Sequence, residues 1–128
     1  MIAAIQKSLR TSMEAVQEAS DFSYALRNFL DRFRNGPSID LLMEEPDSLT
    51  AKLSDDGLAD AYLAAAAAWL CQVHDLPCPA WVNGSSRIMR KPWFAAKSPN
   101  LKAILIQESP AAFRVRNLFV SANALSRA

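Results

Sequence analysis

Glycine, cysteine and histidine are scarce in this chain, and each scarcity excludes a class of function. The 128 residues include three glycines, two cysteines and one histidine. A loop that cradles phosphate needs glycines at fixed spacing, and the sequence has no G-x-G-x-x-G, P-loop or G-x-S-x-G motif. Structural zinc needs four ligands, so Cys71, His74 and Cys78 alone do not make a zinc site. We therefore predict no catalytic residues, no metal, no cofactor and no enzymatic activity; a small enzyme that uses His74 with a carboxylate remains an open alternative.

Long apolar runs are also lacking. The longest, residues 59–73, is interrupted by Asp60 and Gln72 and falls short of the ~20 residues that a membrane span needs. Lys7 and Arg10 are not followed by an apolar segment, so the N-terminus does not predict a secretory signal. Two cysteines give no basis for a disulfide framework. We predict a cytoplasmic protein that does not enter a membrane.

The residues that are abundant favour helices. The chain is 51% hydrophobic and 21% charged, which is typical of globular proteins. Ala and Leu predominate over β-branched residues, and they lose little entropy in a helix. The length is that of one common domain. We predict an all-α fold, a single compact domain over residues 1–128 with about five to seven helices.

Apolar spacing and capping residues predict the first helices. Two helices are expected at about 2–18 and 21–34, with Ser20 and Asp21 as the cap between them. Their apolar stripes point in different directions, and one core need not cover both, so a homodimer is an open alternative. A long, central, Ala-rich helix is expected over 55–74.

The later elements depend on proline. Residues 76–98 are rich in Pro and Trp and are expected to be irregular. Ser98 and Ser109 each precede a proline, a pattern that predicts a capping serine followed by proline at the first helical position. A short extended piece is expected at 118–120.

The net charge is only +1, but acidic and basic residues are concentrated in different halves of the chain. Residues 1–64 carry six Lys/Arg and eleven Asp/Glu, whereas residues 65–128 carry eight and two. We interpret the carboxylates of the acidic half, Asp60 among them, as helix caps and solvated faces. The basic half concentrates its charge between residues 87 and 116, beside aromatic residues.

This concentration predicts a binding surface for a partner. Cations beside aromatic rings suit phosphate contact with base stacking, and they suit an acidic protein partner equally well. A third alternative is that the acidic half neutralises the basic half within the monomer. Arg114 and Arg116 point to different sides of a helix, so one of them is open to lie inside the fold or an interface. The predicted partner- or nucleic-acid-binding residues are Arg87, Arg90, Lys91, Trp93, Lys97, Arg114 and Arg116.

Three sequence blocks in the basic half resemble a known pattern. Residues 76–81, 92–94 and 109–120 read LPCPAW, PWF and SPAAFRVRNLFV. This resembles the LPxPxW…PWF…SPAAFRxRxxFV pattern of small bacterial proteins of unassigned biochemistry, some of which accompany or are fused to helix-turn-helix or toxin–antitoxin-type proteins. The resemblance spans the C-terminal ~40% of the chain and carries over no catalytic residues. It implies a block retained for folding or for docking a partner.

Our leading hypothesis is a non-enzymatic protein-interaction domain. The resemblance implies an antitoxin-like or accessory subunit of a bacterial two-gene system, whose partner is the product of a neighbouring gene. The alternative is a nucleic-acid-binding protein that uses the basic-aromatic segment 87–116.

Overall fold

The computed structural model describes residues 7–125, and this part of the chain is mainly helical, which confirms the all-α prediction. The α-helices in it are α1 (Leu9–Met13), α2 (Ala19–Asn35), α3 (Thr50–Leu53), α4 (Leu58–Val73), α5 (Pro99–Glu108) and α6 (Ala111–Arg114). The 3-10 turns are Ile39–Leu41, Ala80–Asn83 and Ser85–Arg87, and the strands are β1 (Trp93–Phe94) and β2 (Leu118–Phe119). Within these residues no helix is both long and apolar enough to cross a bilayer.

Helix α4 runs through the centre of the core because its Ala-rich sequence has few side chains that must reach water. Alanines 64–67 are all buried, and the other helices pack against this flat surface. The Asp55 carboxylate accepts hydrogen bonds from the amides of Gly57 (3.0 Å) and Ala59 (2.8 Å), so it binds free amides at the start of α4. The helix begins at Leu58 rather than at residue 55 because Asp56 and Gly57 are left-handed, with φ of 60° and 89°.

Aromatic side chains join the helices on either side of α4. The Tyr62 ring meets Phe22 of α2 edge-on at 6.4 Å and Phe113 of α6 at 5.1 Å. At the other end of α4, Phe33 of α2 meets the His74 ring at 5.4 Å. Edge-to-face contacts of this kind add to the apolar burial that fixes α2 and α6 against α4.

The first helix is shorter than predicted. The expected helix over 2–18 lies partly outside the described residues, and α1 ends at Met13. The reason is the start of α2, where the Asp21 carboxylate accepts hydrogen bonds from the amides of Gln17 (3.1 Å) and Glu18 (3.2 Å). These two bonds fix a non-helical turn before Ala19, and Asp21 makes them from inside α2 rather than from the predicted cap position.

Most of the described part of the two apolar stripes that suggested a homodimer is covered within the chain. Leu9 and Met13 of α1 are buried, and so are the α2 residues of the second stripe from Leu26 to Phe33. The argument for a dimer therefore does not apply to the part of these stripes that the structure describes.

The Pro/Trp-rich segment is irregular as predicted, apart from its 3-10 turns and β1. Strand β1 pairs in parallel with β2, in the register Trp93↔Leu118 and Phe94↔Phe119. The predicted extended piece at 118–120 thus forms a strand at Leu118–Phe119. Because side chains alternate along a strand, the first pair faces the core and the second faces α5.

The serines of the two Ser-Pro sequences make different hydrogen bonds. The Ser98 hydroxyl accepts a hydrogen bond from the Leu101 amide at 3.2 Å and caps α5, as predicted. The prediction for Ser109 is wrong, because its hydroxyl is buried and binds Val120 instead, accepting from the amide at 2.7 Å and donating to the carbonyl at 2.8 Å. Ser109 therefore fixes the end of β2 to the start of α6.

We expect Ser109→Ala to destabilise the fold by about 1–3 kcal/mol, because it leaves buried backbone groups of Val120 without a partner. Urea unfolding followed by circular dichroism would measure the loss. Ser85→Ala, at an exposed position, is the matched control. Equal stability of the two variants would contradict the structural role of Ser109.

Candidate interaction surface

Arg87, one of the predicted surface residues, lies inside the protein. It ends the 3-10 turn Ser85–Arg87 and is 2% exposed. Its guanidinium donates hydrogen bonds to the carbonyl oxygens of Pro46 (2.7 Å) and Asp60 (3.1 Å) and to the Glu45 carboxylate (2.9 Å). It also covers the Trp81 ring at 5.0 Å from the ring centre. Its N–H groups are thus used within the fold, and we remove Arg87 from the predicted binding surface.

The Asp60 carboxylate is the buried counterpart of this guanidinium. It lies 3.8 Å from Arg87 Nη1 and is 3% exposed, so its interpretation as a solvated residue is wrong. It accepts hydrogen bonds from the hydroxyls of Ser48 (2.6 Å) and Thr50 (2.8 Å) and from the Leu49 amide (2.8 Å). A buried carboxylate needs such partners, and here they tie the start of α3 to α4.

Arg116 is also buried, but the oxygen atoms that accept its hydrogen bonds belong to uncharged groups. Its guanidinium donates to the carbonyl oxygens of Val82 (2.8 Å) and Ala112 (2.6 Å) and to the Asn83 side chain (3.4 Å). Burial lowers the pKa of Arg116, and the charge of the nearby Cys78 thiol opposes that shift. The sequence left open which of Arg114 and Arg116 lies inside the fold. Arg116 is buried and Arg114 is exposed.

Trp93 is half-buried and lines a groove of about 790 Å³. The opposite walls come from α2, with Phe22 and Leu26, and from α4, with Leu58 and Tyr62. Burial raises the pKa of Tyr62, so its hydroxyl stays protonated at neutral pH. The groove wall also includes Arg27 and Asp55, so it combines apolar with charged side chains.

The other aromatic residues of the basic half are engaged within the chain. Phe94 stacks on Phe119 with ring centres 4.8 Å apart, and the Lys102 ammonium lies over Phe94 at 5.2 Å. The Trp81 indole N–H donates to the Leu42 carbonyl at 2.8 Å. The contacts of Phe119 and Lys102 with Phe94, and of Arg87 with the Trp81 ring, occupy ring faces on which bases would have to stack.

Two chain segments bring exposed arginines and aliphatic side chains together. The Met89 amide donates to the Arg116 carbonyl at 3.1 Å, and the Asn117 side chain donates to the Met89 carbonyl at 3.0 Å. Met89 packs toward the core, so its neighbours in the extended chain point outward. The exposed residues of these segments form what we call the Arg90–Arg114 surface: Ile88, Arg90, Arg114 and Val115.

The exposed cations around this surface have no acidic partner in the described part of the chain. Between residues 7 and 125 the ion pairs are those of Arg10 with Asp47 and of Arg87 with Glu45 and Asp60. Segment 87–116 contains one acidic residue, Glu108, which accepts a hydrogen bond from the Ala122 amide at 3.2 Å. Thus the acidic half neutralises Arg87 by direct contact but not the exposed cations Arg90, Lys91, Lys97 and Arg114.

Helix α5 adds exposed aliphatic side chains to the same half. Leu105 is its one buried residue among those described, whereas Leu101, Ile104 and Ile106 are each about half exposed. On the Arg90–Arg114 surface, Ile88 is 47% and Val115 67% exposed. The basic half therefore presents aliphatic side chains as well as charge, a combination that favours a protein partner.

The residues considered for metal binding and catalysis lie elsewhere. Cys71 is buried, Cys78 is exposed, and His74 packs on Phe33 at the end of α4 rather than on the groove wall. In residues 7–125 no three His, Cys, Asp or Glu side chains are grouped so as to hold a metal ion.

Sequence reasoning missed several residues that organise this region. The Asp60 network is one, although a single carboxylate between Ala59 and Ala61 in an apolar helix was a usable signal. Ile88 and Val115 are the others, because their exposure depends on how two distant segments pair.

Comparison with known proteins gives no match, whether with family models, curated proteins or solved structures.

We expect Arg87→Met to destabilise the fold by about 3–5 kcal/mol, because it leaves Asp60 as a buried charge without its cation. Arg90→Met, at an exposed arginine three positions away, should change stability by less than about 0.5 kcal/mol. Urea unfolding of both variants would measure the difference. Similar small losses for both would mean that the Arg87 guanidinium is not structural.

Proposed function

We propose that this chain is a non-enzymatic protein-interaction domain that binds an acidic, aliphatic segment of another protein on the Arg90–Arg114 surface. The observation that carries the proposal is the pairing of exposed arginines with exposed Ile88 and Val115, with no carboxylate of the described chain in contact with those arginines. An interface of aliphatic contacts framed by arginine is typical of protein partners.

Charge complementarity supports the choice of an acidic partner. Arg90 and Arg114 come from segments that are joined by one backbone hydrogen bond and one hydrogen bond from the Asn117 side chain. Lys91 is exposed next to Arg90, and Lys97 lies beyond β1. A carboxylate-rich segment would gain charge-assisted hydrogen bonds from the arginines without displacing an internal ion pair.

Nucleic-acid binding through segment 87–116 is the competing function. The same cations suit phosphate, but Arg87 and Arg116 are turned inward, and Phe94 is covered by Phe119 and Lys102. The aromatic stacking platform that the sequence suggested is therefore mostly used inside the chain. This favours the protein partner.

A labelled helical peptide with one Leu face and one Glu face should bind the chain, and the affinity should fall as salt is raised from ~50 to ~300 mM. The double variant Arg90→Glu/Arg114→Glu should weaken binding by about 10-fold or more, since each reversal replaces attraction by repulsion. Fluorescence anisotropy measures both effects.

Lys7→Glu/Arg34→Glu is the matched control, because it makes the same change of net charge at exposed positions outside the surface. It should leave the affinity within about 2-fold of the wild type. An oligothymidylate that binds more tightly than the peptide would replace the proposal with nucleic-acid binding. Absence of binding to either probe, or equal loss in both double variants, would overturn the surface.

The resemblance extends this proposal to an accessory or antitoxin-like subunit of a bacterial two-gene system. If so, the product of the adjacent gene, co-expressed with this chain, should co-elute with it in size-exclusion chromatography. Arg90→Glu/Arg114→Glu should separate the two, whereas the Lys7/Arg34 control should not. Separate elution of the two wild-type proteins would contradict this role while leaving the peptide result as the test of the surface itself.

A further inference from the structure

The turn after α4 brings the two cysteines of the chain together. The Leu76 amide donates to the Cys71 carbonyl oxygen at 2.8 Å, and Asp75 is left-handed with φ of 54°. The chain folds back over the last turn of α4, and the Cys71 thiol donates to the Pro77 carbonyl oxygen at 3.9 Å. Because the Pro77 carbonyl carbon is bonded to the nitrogen of Cys78, Cys78 begins next to this contact.

The two thiols have unequal access to solvent. Cys71 is 2% exposed, whereas Cys78 is exposed. Burial, the charge of Cys78 and a hydrogen bond between the two thiols raise the pKa of Cys71 to about 12. At neutral pH, Cys71 is thus a protonated thiol that external reagents do not reach, and its Sγ contacts the carbonyl of the residue before Cys78, whose thiol they do reach.

Arg116 supplies positive charge beside Cys78. Its hydrogen-bond partners are backbone carbonyls and the Asn83 amide oxygen, none of them a carboxylate. The charge of Cys78 acts on the Arg116 guanidinium, which places the two side chains near each other. A thiolate is the form of cysteine that attacks disulfides.

We propose that Cys71 and Cys78 are a redox-sensitive modification site that closes to an intramolecular disulfide on reaction with a low-molecular-weight disulfide such as oxidised glutathione. The Cys78 thiolate attacks one glutathione sulfur, the glutathione disulfide bond breaks, and one glutathione thiolate leaves. Cys71 then loses its proton and attacks the Cys78 sulfur, and the second glutathione thiolate leaves. The cysteines lose two electrons and two protons in total, and both end on the two glutathione thiols.

The arrangement suits a transient disulfide rather than a permanent one. Disulfides inside cells are mostly transient and redox-sensing, and the exposed Cys78 side lets a reducing thiol reach the bond. Closure links the end of α4 to the segment that enters the 3-10 turn Ala80–Asn83, whose Val82 carbonyl binds Arg116.

Incubation of the native chain with oxidised glutathione, followed by acid quenching and mass spectrometry, tests this proposal. The wild type should end as a species without bound glutathione that has lost two hydrogens, with a disulfide bond between Cys71 and Cys78, and dithiothreitol should reverse it. Cys71→Ala should stop at the mixed disulfide on Cys78. Before oxidation, iodoacetamide should modify Cys78 at least about 10-fold faster than Cys71.

The Cys71→Ala variant removes a small buried side chain, so its circular dichroism spectrum is compared with that of the wild type. If that variant does not fold, the wild-type products alone decide the proposal. A wild type that stays as the glutathione mixed disulfide, or that forms an intermolecular dimer through Cys78, would overturn it. The outcome is independent of the peptide-binding test.

Discussion

Arg87 brings a full positive charge into the interior, and the region between Glu45 and α4 is built to receive it. Removing a guanidinium from water costs several kcal/mol unless its N–H groups and its charge both find partners. The carbonyl oxygens of Pro46 and Asp60 accept hydrogen bonds from the guanidinium N–H groups. The carboxylates of Glu45 and Asp60 balance its positive charge. The acidic half and the basic half of the chain meet at this guanidinium.

The hydrogen bonds of Asp60 explain why this carboxylate interrupts the central apolar helix. Its side chain binds Ser48, Leu49 and Thr50 at the start of α3, so it fixes a loop that has few apolar residues of its own to bury. Replacing such a network with apolar residues is often neutral for stability, so stability alone does not account for it. We infer that the network specifies one position for the loop on α4.

Local sequence signals predicted the local features of this fold. The Ser98 cap, the Ala-rich central helix and the extended piece at 118–120 each depend on neighbouring residues, and each was found. The failures involve partners distant in sequence. Ser109 binds Val120 eleven positions away, and Arg87 binds Glu45 forty-two positions away. Composition and periodicity describe what a residue prefers, but the tertiary structure decides which distant group lies beside it.

The buried Arg116 helps to hold the segments that carry the exposed Arg90 and Arg114. Arg116 clamps Val82 and Ala112, and its own carbonyl accepts the Met89 amide, so the segment that carries Arg90 is fixed against the segment that carries Arg114. A surface held in this way loses little conformational freedom on binding, and that lowers the entropic cost of association. The cluster of cations in segment 87–116 therefore divides by role. The buried arginines bind groups inside the fold, and the exposed ones lie beside aliphatic side chains that the core leaves uncovered, where the proposed partner would bind.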